Sequence, residues 1–317
     1  MTTALRPLST GEVLDRTFHL YRNHFWLFVG IGSGYGLCLL IGVLLLVVLG
    51  ILGPVGNGLD FSNALQLLLG EFVLALFALI GYAVASGPTY FAVSRVHLGY
   101  GATVRGSYKA VGSLTLRFLR ILLSVFLRCF GAFLLAEVSL ILVTGYVIVP
   151  LERGVTFSYP VLVQVINSIF IFGSMIAGVV WAVRIFCRNS LAVPACLLER
   201  LPARQALKRS RWLTKKALGR HFLVFLLTGL LAGALFYAFL LPGVLAAGKV
   251  PTPIMIGWQA LAAFAALVLS FPIGTIATSL LYYDQRVRKE AFDLQLMMES
   301  IAPPMPEPTR AGSVVGL

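Results

Sequence analysis

Six stretches of the chain stay apolar for longer than a buried helix of a water-soluble domain requires. They run approximately from Phe25 to Leu52, Leu65 to Val93, Ile121 to Val149, Val161 to Val183, Phe222 to Ala246 and Ile254 to Tyr283. A hydrocarbon core about 30 Å thick is crossed by about 20 apolar residues of helix, and every run meets that length. The pattern predicts an all-α fold, a polytopic membrane bundle of six transmembrane helices. The first run is about twice the length of a signal-peptide core and no small-residue cleavage site closes it, so it is expected to remain as a span.

The polar segments ahead of spans 1, 3 and 5 have a period of their own. Before the first, Ser9 and Glu12 have capping-box spacing, and Leu14, Phe18, Tyr21 and Phe25 then fall on one helical stripe. That stripe is expected to face the bilayer or the bundle, leaving Asp15, Arg16, Arg22 and Asn23 in water. Before the fifth, Ala206, Leu207, Ser210, Leu213 and Ala217 share a side, with Lys208, Arg209, Arg211, Lys215 and Lys216 around the rest. Leu14-x-Arg16-Thr17-x-x-Leu20 matches Leu207-x-Arg209-Ser210-x-x-Leu213, and Val104, Ser107 and Ala110 keep the spacing more weakly. Three units are expected, each an amphipathic interfacial helix followed by two spans, over about 1–93, 94–187 and 188–290. Residues 1–24 form the amphipathic N-terminal segment, 25–290 the membrane domain and 291–317 a tail whose proline-rich sequence predicts disorder.

Composition agrees: of 317 residues, 59% are hydrophobic and 12% charged, against about 45–50% and about 25% in soluble domains. A soluble globular protein is excluded. Four cysteines without a CxxC pair support neither a disulfide framework nor a zinc site.

The net charge of +13 would suit nucleic-acid binding, but its distribution accounts for it otherwise. Of 25 Lys and Arg, 22 lie in the N-terminus, the second and fourth loops and the C-terminus, whereas the remaining loops hold only Arg153 and Lys249. Cytoplasmic loops retain positive charge, so both termini are expected inside a bacterial cytoplasmic (inner) membrane, and no nucleic-acid partner is expected. The fourth loop carries ten cations, and an amphipathic helix presenting five of them exceeds what orientation requires. Lys208, Arg209, Arg211, Lys215 and Lys216 are therefore candidate contacts for anionic lipid headgroups, each contributing about 1 kcal/mol near an anionic surface.

Three ionisable residues lie within spans: Glu71, Arg128 and Glu137. A charge at mid-bilayer costs about 2.5–3.5 kcal/mol on insertion scales, which makes each a candidate for function. Arg128 and Glu137 share a helix but sit on opposite sides of it and about 13 Å apart along its axis, so they do not pair. Glu137 is expected to face Gln164, Asn167, Ser168 and Ser174 of the fourth span, giving a candidate intramembrane polar site of Glu71, Arg128, Glu137, Gln164, Asn167 and Ser168. The plainer reading makes these groups helix bridges, with Arg128 snorkelling to the inner interface. Prolines at Ser86-Gly87-Pro88 and Ser270-Phe271-Pro272 predict kinks in the second and sixth spans, and Gly30/Gly34, Gly32/Gly36 and Gly229/Gly233 predict close helix packing.

No HExxH, GxSxG or phosphate-binding loop occurs, and His19, His24, His97 and His221 sit at span ends in poor spacing for one metal. No catalytic residue, cofactor or metal is assigned, and the chain is expected not to be an enzyme. Two readings stay open: an accessory, anchoring or scaffold protein holding lipids and another membrane or cytoplasmic protein, and a transporter or lipid-handling protein using the polar face around Glu137.

Three segments carry a resemblance: Arg6-Pro7-Leu8-Ser9-Thr10-Gly11-Glu12-Val13-Leu14-Asp15-Arg16-Thr17-Phe18; Leu198-Glu199-Arg200 through Ala206-Leu207-Lys208-Arg209-Ser210; and Tyr282-Tyr283-Asp284-Gln285-Arg286-Val287-Arg288-Lys289-Glu290-Ala291-Phe292-Asp293. Together they resemble the bacterial integral-membrane family named after the membrane domain of glycerophosphoryl diester phosphodiesterases, with Ala291 replacing an expected glycine. The resemblance implies a six-span helical domain of mostly unassigned function. It brings no catalytic residue with it, and the family's name implies no phosphodiesterase activity for this chain.

Overall fold

A computed structural model describes residues 8–49, 61–97, 99–143, 160–246 and 251–290. Ten α-helices are described: α1 (Thr10–Asn23), α2 (Phe25–Val48), α3 (Phe61–His97), α4 (Val104–Val111), α5 (Thr115–Val143), α6 (Pro160–Asn189), α7 (Ala192–Leu198), α8 (Ala203–Leu213), α9 (Leu218–Leu245) and α10 (Thr252–Glu290). The described residues contain no strand. Six helices, α2, α3, α5, α6, α9 and α10, are long and apolar enough to cross a membrane. The fold is the all-α, six-span bundle that the apolar runs predict.

The spans pair as three hairpins, α2 with α3, α5 with α6 and α9 with α10, and α10 also packs on α2 and α3. Helix α10 organises the bundle. Its 39 residues extend about 58 Å, nearly twice the thickness of a hydrocarbon core. Ile254 and Leu261 near its start are open to the surroundings, whereas residues 271–287 are buried almost without interruption. The second half of α10 is thus the axis of a packed base, built by α1, the end of α3, α7 and the start of α9 and containing Leu8, Val13, Ala195, Leu213, Val224, Leu280 and Tyr282. This end carries most of the described cations and is called the basic end below.

Helix α1 belongs to that base. Its capping box forms as expected: Glu12 N–H donates to Ser9 Oγ (3.2 Å), and Ser9 N–H to Glu12 Oε2 (2.6 Å). The helix then runs antiparallel to α10, from Leu8 beside Asp284 to Tyr21, whose hydroxyl donates to the Leu269 carbonyl (3.0 Å). Pro272 removes a donor and loosens this part of the α10 ladder. Burial pushes the Tyr21 phenol up to about 12. The inward face differs by one position from the expected stripe: Val13 and Thr17 are buried, Leu14 and Tyr21 flank them, and Phe18 is exposed. Packing against one large helix selects a narrower face than a bilayer would.

The two glycine pairs of α2 serve different neighbours. A Cβ at Gly30 or Gly34 would strike Val104 or Tyr108 of α4, and Tyr108 donates to the Ile31 carbonyl (2.7 Å). At Gly32 or Gly36 it would strike Val268, Phe264 or Pro272 of α10. By contrast, nothing lies within 4 Å of a Cβ at Gly229 or Gly233 of α9. In all three amphipathic segments the aligned hydroxyl residue is buried: Thr17 in α1, Ser107 in α4 and Ser210 in α8.

Candidate functional site

The densest polar constellation lies at the basic end, where the last turns of α10 meet residues from both ends of the chain. Asp284, whose side chain is 0% exposed, accepts from the Leu8 N–H (2.7 Å), from Arg220 Nη1 (2.5 Å) and from Arg288 Nε (2.9 Å). The second nitrogens of the same arginines both donate to the Leu8 carbonyl, each at 2.6 Å. One residue of the N-terminal segment, Leu8, is therefore gripped through both its N–H and its C=O. Arg288 reaches Asp284 because i and i+4 share a helix face, and Arg220 stands in the first turn of α9.

A second cluster adjoins it. Glu199, just past α7, accepts from the Tyr282 hydroxyl (2.6 Å) and from Arg209 Nε (3.0 Å). Arg209 also pairs with Glu290, which takes Arg286 at 3.1 Å. Burial alone would lower the Arg209 guanidinium, but Glu199 and Glu290 outweigh it and hold it above its ordinary value. Lys289 Nζ donates to the carbonyls of Trp212 (2.7 Å) and Lys215 (2.9 Å), closing the C-terminal end of α8 as cations do at helix ends. Arg209 and Lys289 both lie about 5 Å from the centre of the Trp212 ring.

The three segments that carried the resemblance thus meet at one place, through Leu8, through Glu199 and Arg209, and through Tyr282, Asp284 and Arg288. Sequence reasoning missed this convergence. The signal available was Asp284, an acid placed four residues before Arg288 in an otherwise basic exit from a span.

Of the five candidate headgroup contacts, Lys208, Arg211, Lys215 and Lys216 are exposed on α8 and the turn that follows. Arg209 is turned inward and spent on ion pairs with Glu199 and Glu290. Of the intramembrane candidates, Glu71 is exposed on α3, Arg128 on α5 and Ser168 on α6. The side chains of Glu137, Gln164 and Asn167, like Arg153, Lys249 and the 291–317 tail, lie outside the described residues. Register bears on Glu137 all the same: Cys129 Sγ donates to the Ala182 carbonyl (3.6 Å), so in the antiparallel hairpin Glu137 of α5 stands level with Ser174, about 9 Å along α6 from Ser168.

Two further features complete the interior. Hydroxyls line the contact of α3 with α10: Tyr82, Tyr90 and Thr278 are linked by hydrogen bonds, Ser94 bonds Tyr283, and the buried Ser86 and Ser279 have no partner among the described residues. On α9 a shallow groove of about 400 Å³ runs along Phe225, Gly229, Gly233 and Tyr237 and is almost wholly apolar. Among the described residues no three His, Cys, Asp or Glu side chains gather where a metal ion could sit.

The fold and this site define a class, the multi-pass helical membrane protein with a packed, charge-stapled base. No family model, curated protein or solved structure matches the chain.

Proposed function

We propose that this is a non-enzymatic protein of a bacterial cytoplasmic membrane, with both termini inside, that anchors or organises other components through its basic inner face. The observation that supports the reading is how the polar groups are used. Asp284, Glu199 and Glu290 are consumed in stapling the base, while Lys208, Arg211, Lys215 and Lys216 are left outward, at a level where anionic headgroups lie. A packed base with an outward cationic surface suits holding lipid and a protein partner. The resemblance to the glycerophosphoryl diester phosphodiesterase membrane family agrees with this reading and supplies no activity.

A second reading, transport or lipid handling, draws support from the hydroxyl seam between α3 and α10, which runs past Pro88 and Pro272. Complementation of a deletion strain separates the two. With Lys208, Arg211, Lys215 and Lys216 changed to Gln, an anchoring protein should lose function while remaining in the membrane, and Glu137→Gln should complement. Failure of Glu137→Gln together with full function of the α8 variant would replace anchoring by transport.

A further inference from the structure

We propose that α5 carries a second, separate lipid site, in which Arg120 and Arg128, with Arg117 one turn below, hold the phosphate of one anionic phospholipid. The proposal rests on the reading that the basic end lies in the inner leaflet. Arg117, Arg120, Ser124 and Arg128 are spaced 3, 4 and 4 residues apart, which places them within about 80° of one another on a helix. All three arginines are exposed. The Ser124 hydroxyl, between Arg120 and Arg128, is buried and has no partner among the described residues.

The position of the stripe favours a lipid over a soluble anion. One flank of it, Leu116, Leu123, Leu127 and Phe130, is exposed apolar surface, and the other, Phe118 and Ile121, is buried in the bundle. The stripe therefore follows the line where protein meets acyl chain. Side chains on a helix lean toward its N-terminus, so Arg128, the deepest of the three, reaches back toward Ser124 and Arg120 and toward the interface.

The charge balance among the described residues favours an external anion. Among the described acids, Glu12 caps α1, Asp15 is exposed on α1, Glu71 lies toward the opposite end of α3, and Glu199, Asp284 and Glu290 are held by Arg209, Arg220, Arg286 and Arg288. Among the described residues none of the three arginines is paired with an acid, and a phosphodiester with its chains on Leu123 and Leu127 supplies both the counter-charge and the apolar contact.

The test uses the full-length protein, purified in a neutral detergent and titrated with short-chain phosphatidylglycerol, phosphatidylcholine and inorganic phosphate. Bound lipid is counted by native mass spectrometry and stability is followed by thermal unfolding. Phosphatidylglycerol should be retained and should protect, phosphatidylcholine should do so far less, and Arg120→Gln/Arg128→Gln should weaken the first by roughly 10- to 30-fold. Lys208→Gln/Arg211→Gln on α8 should leave this site's lipid in place. Equal retention of the two lipids, undiminished phosphatidylglycerol binding by the α5 variant, or equal protection by inorganic phosphate would overturn the proposal. If only the α8 variant loses lipid, the stripe is refuted and the basic-surface reading survives. If no variant loses lipid and the two lipids bind alike, both fall.

Discussion

Asp284→Asn removes one charge and almost no volume, which makes it the sharpest probe of the base. The amide can still accept from the Leu8 N–H, but Arg220 and Arg288 lose their counter-ion while remaining beside each other. Removing one partner of a buried ion pair costs about 3–5 kcal/mol. Arg220, with 17% of its side chain exposed, bears most of that, whereas Arg288 at 41% is solvated and adds about 1 kcal/mol or less. A loss of about 3 kcal/mol follows, or about 6–12 °C in the unfolding midpoint at a fixed scan rate for a chain of this size. The damage should also be local. With its grip on Leu8 weakened, α1 should leave α10, and trypsin should cut at Arg16 or Arg22 well below the unfolding temperature. Asp15→Asn, on the exposed face of the same helix, is the control and should change neither reading. Replacing Asp284 and Arg220 together by Leu and Met should recover much of the midpoint, since an apolar pair avoids the desolvation of two charges. A midpoint for Asp284→Asn within about 1 °C of wild type, with α1 still protected, would refute the argument that this carboxylate staples the termini.

Two other expectations concern packing and orientation. Gly32→Ala would put a methyl 2.7 Å from the Val268 carbonyl oxygen, and so should cost about 1–3 kcal/mol in thermal unfolding. Gly229→Ala meets open space and should be neutral or stabilising by about 0.5–1 kcal/mol; the reverse order of the two would show that α9, not α2, makes the close crossing. In a cysteine-free background, single cysteines at the exposed Ser113 and Gln205 should be labelled by a membrane-impermeant maleimide only after the inner face is opened. A cysteine at Thr252 should label in intact cells, and the opposite pattern would invert the topology.

The spans were legible because crossing a bilayer imposes a length that no other element needs, and their centres fall where the apolar runs put them. Their ends were not. The apolar run of α10 stops at Tyr283, yet the helix continues to Glu290, where Asp284 is held by Leu8 and Arg220, Arg288 folds back on Asp284, and Lys289 caps α8. Hydropathy cannot distinguish a charge that ends a helix from one that is paired inside a base. The same blindness affected Arg209, which reads as one of five surface cations until Glu199 and Glu290, ten residues before it in one case and near the end of the chain in the other, arrive beside it. The glycine pairs of α2 were legible as close contacts, but not which helix each pair admits, because that depends on how α4 and α10 pack against α2. What local pattern does constrain is the balance of charge. A chain with 12 acids and 25 basic residues that commits three of those acids to its own base leaves a surplus of cations at one end of the bundle. In a membrane the nearest abundant anion is the lipid phosphate, so the stapling of the base and the proposed binding of anionic lipid trace to the same shortage of acids.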